Sequence, residues 1–203
     1  MNQKNVIELV LQTLEHERGG IQVYQTALEC AQNEDLKKEW TKYLEETKNH
    51  ERVALEVCDA LEIDPEAQTP GRQIVKSLGL ALVDAMKKAK AAGDPAAAQI
   101  VACECVTLAE TKDHLDWELI GQLAEKGEGE GIQALKDAYD EVEDQEDEHL
   151  YHSKGWCREL WIQALGMRAV LPPPEERKHV KTAIGASRAE QARGDFTKGK
   201  PSH

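Results

Sequence analysis

Apolar residues recur along this chain at spacings of three and four over five long stretches, and nowhere alternate as they would in a half-buried strand. Over 4–32 the stripe is Ile7, Val10, Leu14, Ile21, Tyr24, Leu28 and Ala31. Over 34–62 it is Leu36, Trp40, Tyr43, Thr47, His50, Ala54, Val57 and Leu61. The stretch 68–92 carries Ile74, Val75, Leu78, Ala81, Leu82, Ala85 and Met86. A fourth stretch runs over 95–126, and a fifth over 132–166 with Leu135, Ala138, Val142, Trp156 and Leu160. Breaks fall at Asn33-Glu34-Asp35, Asp64-Pro65, Gly93-Asp94-Pro95 and Gly127–Gly131, with Asp94 placed as an N-cap and Pro95 at the first helical position. The pattern predicts an all-α fold. The short turn near residue 33 predicts an antiparallel hairpin, and the loop near 128 a second one.

Polar residues interrupt four of the five stripes. In the last stretch the turns between Val142 and Trp156 supply Glu146, His149 and Ser153 where core residues belong. Glu17 sits between Leu14 and Ile21, Glu46 lies beside His50, and Glu110, His114 and Trp117 share one face. An ionised carboxylate in an apolar interior costs several kcal/mol unless it is paired or bound to a metal. The third stretch has lysines (Lys76, Lys87, Lys88, Lys90) and no such acid–histidine pair. It reads as an inserted crossover helix, 68–92, that packs on the others without adding to a site. Gly19 and Gly20 fall mid-helix, where each costs roughly 1 kcal/mol against Ala. Two uses compete for them: close helix contact, or space beside Glu17 for a small ligand.

The carboxylates sit at matched heights. Glu17 and Glu46 lie 16 and 13 residues either side of residue 33, and Glu110 and Glu146 each lie 18 residues from residue 128. At 1.5 Å rise per residue these pairs meet at similar levels. Spacings of i,i+3 and i,i+4 put acid and imidazole on one helix face, and carboxylates with one histidine per metal suit iron or manganese. Single Glu residues from two helices and Glu-x-x-His from two others are the donor set of dinuclear carboxylate sites in helical bundles. Buried Glu–His or Glu–Lys pairs without metal are the competing account of the same residues.

Composition adds less. Of 203 residues 40% are hydrophobic and 31% charged, and the net charge of -13 argues against general nucleic-acid or anionic-membrane binding. No stretch reaches the roughly 20 apolar residues of a membrane span, and no signal-peptide pattern opens the chain. Five cysteines (30, 58, 103, 105, 157) lack CxxC spacing, so reduced thiols in a cytoplasmic protein are expected. After Pro172-Pro173-Pro174 the composition turns basic: Arg177, Lys178, Lys181, Arg188, Arg193, Lys198 and Lys200 stand against four acids. The expected organisation is a helical bundle over 1–166 and a basic tail over 167–203, helical across part of 175–193 and disordered at its end. That tail either wraps a neighbouring subunit or is solvated.

The Glu146-Asp147-Glu148-His149 run, Glu17 followed by Tyr24, the Tyr43–His50 segment containing Glu46, and Glu110 followed by Trp117 together resemble the ferritin-like superfamily. Bacterioferritins, rubrerythrins and stress-associated ferritin-like proteins belong to it. The resemblance covers roughly 5–165 less the crossover helix. It implies a ferritin-like four-helix bundle holding two iron ions, or alternatively manganese, on Glu17, Glu46, His50, Glu110, His114, Glu146 and His149. It further implies ferroxidase or peroxide- and oxygen-reducing chemistry with Tyr24 as proton or electron donor, and a homo-oligomer, dimer or larger. The pair Glu46/His50 is one residue wider than the family's spacing, and His114 is an extra histidine. Glu143 or Glu148 is an alternate for Glu146, and Glu104 for Glu110. His152 is expected behind the ligands or at the surface, and Trp40, Trp156 and Trp161 in the core. The other class kept open is a non-catalytic helical protein whose basic helix and tail bind a partner.

Overall fold

Each of the five periodic stretches forms one helix, with ends within two residues of those expected. The computed structural model of the chain describes residues 2–129 and 131–197. Among them are the helices Gln3–Cys30 (α1), Glu34–Ala60 (α2), Pro70–Ala91 (α3), Pro95–Lys126 (α4) and Ile132–Ala164 (α5), and no strand. Local chemistry sets the starts. The side chains of Asn33, Thr69 and Asp94 accept hydrogen bonds from the first free backbone N–H groups of α2, α3 and α4.

α1 packs on α2, α4 on α5, and the two hairpins close on each other through α1–α4 and α2–α5 contacts. α3 lies outside, across α1 and α4. It returns the chain from the far end of α2 to the α1–α2 turn, where the Gln99 side-chain oxygen accepts from the backbone N–H groups of Gln32 and Asn33, both at 2.7 Å. The direction of each long helix follows from these connections.

All eight stripe positions of α5 are buried, the polar Glu146, His149 and Ser153 with the rest. The apolar interior consequently falls into two clusters. One holds Tyr24, Trp40, Tyr43, Met86, Val106 and Trp156, the other Leu11, Leu14, Val57, Trp117, Leu135 and Val142. Trp161 departs from expectation: it is 43% exposed, and its indole N–H donates to Glu104 at 3.1 Å. Glu104 is therefore a surface partner of Trp161 and no alternate to Glu110.

The tail folds back on its own chain. Pro174–Arg177 (α6), Ala183–Gln191 (α7) and Arg193–Thr197 (α8) follow a loop, and α6 and α7 pack on α5. Arg158 on α5 forks onto Glu175 at 2.7 and 3.0 Å. Glu159, fully buried, accepts from Val170 N–H at 2.8 Å, Arg193 at 2.7 Å and Arg158 at 3.1 Å. Gly155 is needed for this approach, since a Cβ there would stand 2.6 Å from a Glu175 carboxylate oxygen. The segment up to 197 docks in part on its own chain, through α6, α7 and Arg193; the expected disorder of its end, with Lys198 and Lys200, lies outside the described residues.

Glu159→Ala leaves Arg193 Nε and the Val170 N–H without their acceptor, and is expected to destabilise the fold by about 2–4 kcal/mol. Chemical denaturation reads the loss. Limited proteolysis is expected to cut within 167–197 before the long helices; equal protection of that segment in wild type and variant would show that Glu159 does not hold it.

Candidate metal centre

Between the two apolar clusters lies a layer of buried acids and imidazoles from α1, α2, α4 and α5: Glu17, His50, Glu110, Asp113, Glu146 and His149. Two groups within it bring ligand atoms within 4.8 Å of one another: His50, Glu146 and His149, and Glu17, Asp113 and Glu146. Glu146 belongs to both.

The two histidines are oriented alike. The Nδ1 of His50 lies 2.8 Å from Glu146 Oε1 and that of His149 3.9 Å from the same oxygen. Their Nε2 atoms face outward acceptors, Gln145 Oε1 at 2.7 Å for His50 and Glu46 Oε2 at 3.0 Å for His149. An N–H donated outward leaves the inner nitrogen's lone pair for a cation. The rings stack with centroids 5.5 Å apart. On the other side, Trp117 donates its indole N–H to Glu17 Oε1 at 2.6 Å.

Glu17 Oε2, Glu110 Oε2, Asp113 Oδ1 and Glu146 Oε2 are buried without a hydrogen-bond partner, and Glu146 Oε1 has only His50 Nδ1 close beside it. Converging buried carboxylate oxygens beside two inward imidazole nitrogens are compatible with metal binding.

Electrostatics agree. Burial pushes the Glu17 carboxyl up to about 8, with Glu146 and Glu110 adding to the rise against the opposing charge of His50. Asp113 is driven well above the usual carboxylate range by burial and by the charges of Glu17, Glu146 and Glu110. Burial alone would lower both histidines, but the Glu146 contact and the charge of Glu17 hold His50 at about 9, and the Glu110 and Glu46 contacts hold His149 at about 10. Without a metal, protons supply the positive charge the layer requires.

Of the residues expected at the site, Glu17, His50, Glu110, Glu146 and His149 come together. Glu110 approaches His149 Nδ1 to 3.6 Å. Glu46 does not join either group: it is half-buried, bonded to the outer nitrogen of His149 and 3.4 Å from Lys42. It holds the outer nitrogen of His149. His114 points away and pairs with Asp147 at 2.6 Å, its side chain 22% exposed. The alternates Glu143 and Glu148 are engaged elsewhere, with Tyr139 and with Lys42 and Lys181. Both histidines fall in one group, in place of one per metal.

Three residues beyond the expected set matter. Asp113 takes the place assigned to His114, and the positions Ala102, Val106, Ala109, Asp113, Trp117 and Ile120 form the buried stripe that carries it. Tyr43 stacks on His149 with centroids 4.1 Å apart, closer than Tyr24 at 6.0 Å. Tyr43 also donates its hydroxyl to Glu39, while His152 Nδ1 lies 2.8 Å from both the Tyr43 hydroxyl and Glu39. His152 is thus buried in a second polar network rather than at the surface. Tyr24 is fully buried and its phenol is held well above its usual range, by burial first and then by Glu110, so it stays an O–H donor.

Because Glu17, His50 and His149 bind protons more tightly folded than unfolded, their contribution is present at low pH and lost as pH rises through about 8, 9 and 10. The metal-free protein is expected to lose thermal stability steadily from pH 6.5 to 10. Anaerobic Mn(II) is expected to restore it and to release protons at pH 7, read with a pH indicator in weak buffer. A melting temperature flat over that range, with no proton release, would contradict this electrostatic picture.

No protein-family profile, curated protein or solved structure matches the chain.

Proposed function

We propose that the chain is a ferritin-like four-helix bundle protein with a dinuclear metal–carboxylate centre, iron the first candidate and manganese the alternative. It works as a ferroxidase or as a peroxide- or oxygen-reducing oxidoreductase in iron or oxidative-stress handling. The observation that supports this reading is the sharing of Glu146 by two groups of potential ligands, with Glu17 Oε2 and Asp113 Oδ1 beside it lacking donors. A carboxylate shared by two such groups would be the bridging element of a dinuclear site. The path of the chain supports the architecture, because α3 supplies the long return that lets α2 and α4 run parallel.

When bound, a pair of iron ions supplies electron transfer from Fe(II) to dioxygen or peroxide, and a manganese pair supplies peroxide disproportionation. The chain's own residues do the rest. His50 and His149 present Nδ1 inward while Gln145 and Glu46 hold their outer nitrogens. Glu17 is fixed by Trp117 through one oxygen, leaving the other to bind. The Tyr24 hydroxyl, protonated beside Glu110, is a proton donor at the layer. The group made of Glu17, Asp113 and Glu146 offers only oxygen, which suits Mn(II), and this keeps manganese as the second reading.

Metal analysis after anaerobic Fe(II) loading separates the roles. Wild type is expected to hold two ions, Asp113→Asn one, and Glu146→Ala none, with Fe(II) oxidation at least tenfold slower in Glu146→Ala. His114→Ala is expected to keep both ions and full rate. Helicity by circular dichroism should be retained throughout. Two ions retained by Glu146→Ala, or no uptake by wild type, would sink the dinuclear reading.

A further inference from the structure

A cavity of about 270 Å³ lies between α1, α3 and α4, away from the polar layer's α2–α5 side. Its walls are Val23, Val75, Leu78, Leu82, Leu108 and Ala109, and Leu78 and Leu108 at its edge are 57% and 63% exposed. Missing side chains keep it open. A Cβ on Gly19 would meet nothing within 4 Å, and one on Gly79 would only touch the Gly19 backbone at 3.7 Å. Helix packing does not require glycine at position 19, although the helix would be steadier with almost any other residue there. Of the two uses considered for Gly19, close contact fails and open space remains.

Three polar residues reach this cavity, and two are spent. Glu15 is bonded to Arg72 at 2.7 Å, and Lys112 is paired with Asp116. The third, His16, has a buried Nδ1 without a hydrogen-bond partner, 3.9 Å from Asp116. An ionic ligand would find no free counter-charge, whereas a neutral one would find apolar walls and one polar group to satisfy. An apolar cavity of about 150 Å³ holds benzene, so this volume suits roughly ten non-hydrogen atoms.

The geometry points to a binding site for a neutral, mainly aliphatic molecule of about ten non-hydrogen atoms carrying one hydrogen-bonding group, such as a medium-chain alcohol or aldehyde. Such a ligand lies along α1 and α4 on the helices that carry Glu17 and Glu110. The site stands on its own residues and does not depend on the metal reading.

Titration calorimetry on chelator-treated, metal-free protein tests it with 1-nonanol, nonane, octanoate and octylammonium as probes. Wild type is expected to bind 1-nonanol saturably at one site, and each ionic probe at least tenfold more weakly. Gly19→Leu, which projects a side chain into the cavity, is expected to lower 1-nonanol affinity at least tenfold while keeping helicity. His16→Leu is expected to remove the advantage of 1-nonanol over nonane. Absence of saturable 1-nonanol binding, equal binding of an ionic probe, or unchanged affinity in Gly19→Leu would overturn the assignment. Because no metal is present in the measurement, failure here leaves the dinuclear reading untouched, and failure of that reading leaves this one standing.

Discussion

A layer of buried carboxylates, several of whose oxygens have no hydrogen-bond partner, divides the apolar interior of this chain into two clusters, and the four long helices are arranged around that division. Desolvating a carboxylate costs several kcal/mol, and the penalty grows when acids face one another. Glu17, Asp113 and Glu146 do face one another, and only protons or cations relieve them. The clusters on either side bury Trp40, Trp117 and Trp156 completely enough to hold the helices at this spacing despite the repulsion. Apolar burial therefore maintains a geometry that electrostatics alone would push apart.

Within the layer the imidazoles are positioned from behind. Gln145 and Glu46 take the outer nitrogens of His50 and His149, and Tyr43 presses on the His149 ring. Glu46 itself is tethered by Lys42. A residue expected as a ligand on its spacing is thus engaged with the outer nitrogen of His149, and the difference is a matter of depth: Glu46 lies at the edge of its stripe, toward solvent, while His50 lies on the centre line.

Most of the helical layout is legible in the sequence, because five long 3.6-residue patterns, with Asn33, Thr69 and Asp94 at the starts of three of them, leave little latitude. The α5 part of the site is equally legible, since Glu146 and His149 replace core residues in a stripe otherwise apolar. α4 is harder. At about 100° per residue, Asp113 and His114 lie some 60° to one side and 40° to the other of Glu110. The stripe Ala102, Val106, Ala109 and Ile120 lies on the Asp113 side, and weighing it over the chemical appeal of histidine would have favoured the aspartate. The Glu39–Tyr43–His152 network was not legible from any single helix. It depends on Trp156, whose indole N–H donates to Glu176 at 2.9 Å, on a segment that returns from far along the chain.

That second network gives the layer two unlike sides. Beside α2 and α5, Tyr43 links the His149 ring to Glu39, and Glu39 is held down to about 2: burial would raise it, but His152, Glu176 and Tyr43 outweigh that. Glu176 next to it is pushed up to about 9 by burial and by Glu39. Beside α1 and α4 lies the apolar cavity, with hardly a free polar atom. Protons move along hydrogen-bonded groups and not through hydrocarbon, while an uncharged apolar molecule prefers the opposite route. The hydrogen-bonded groups lie on the α2–α5 side and the apolar cavity on the α1–α4 side, so the oxidant-reducing centre proposed above would have its proton route and its apolar face apart from one another.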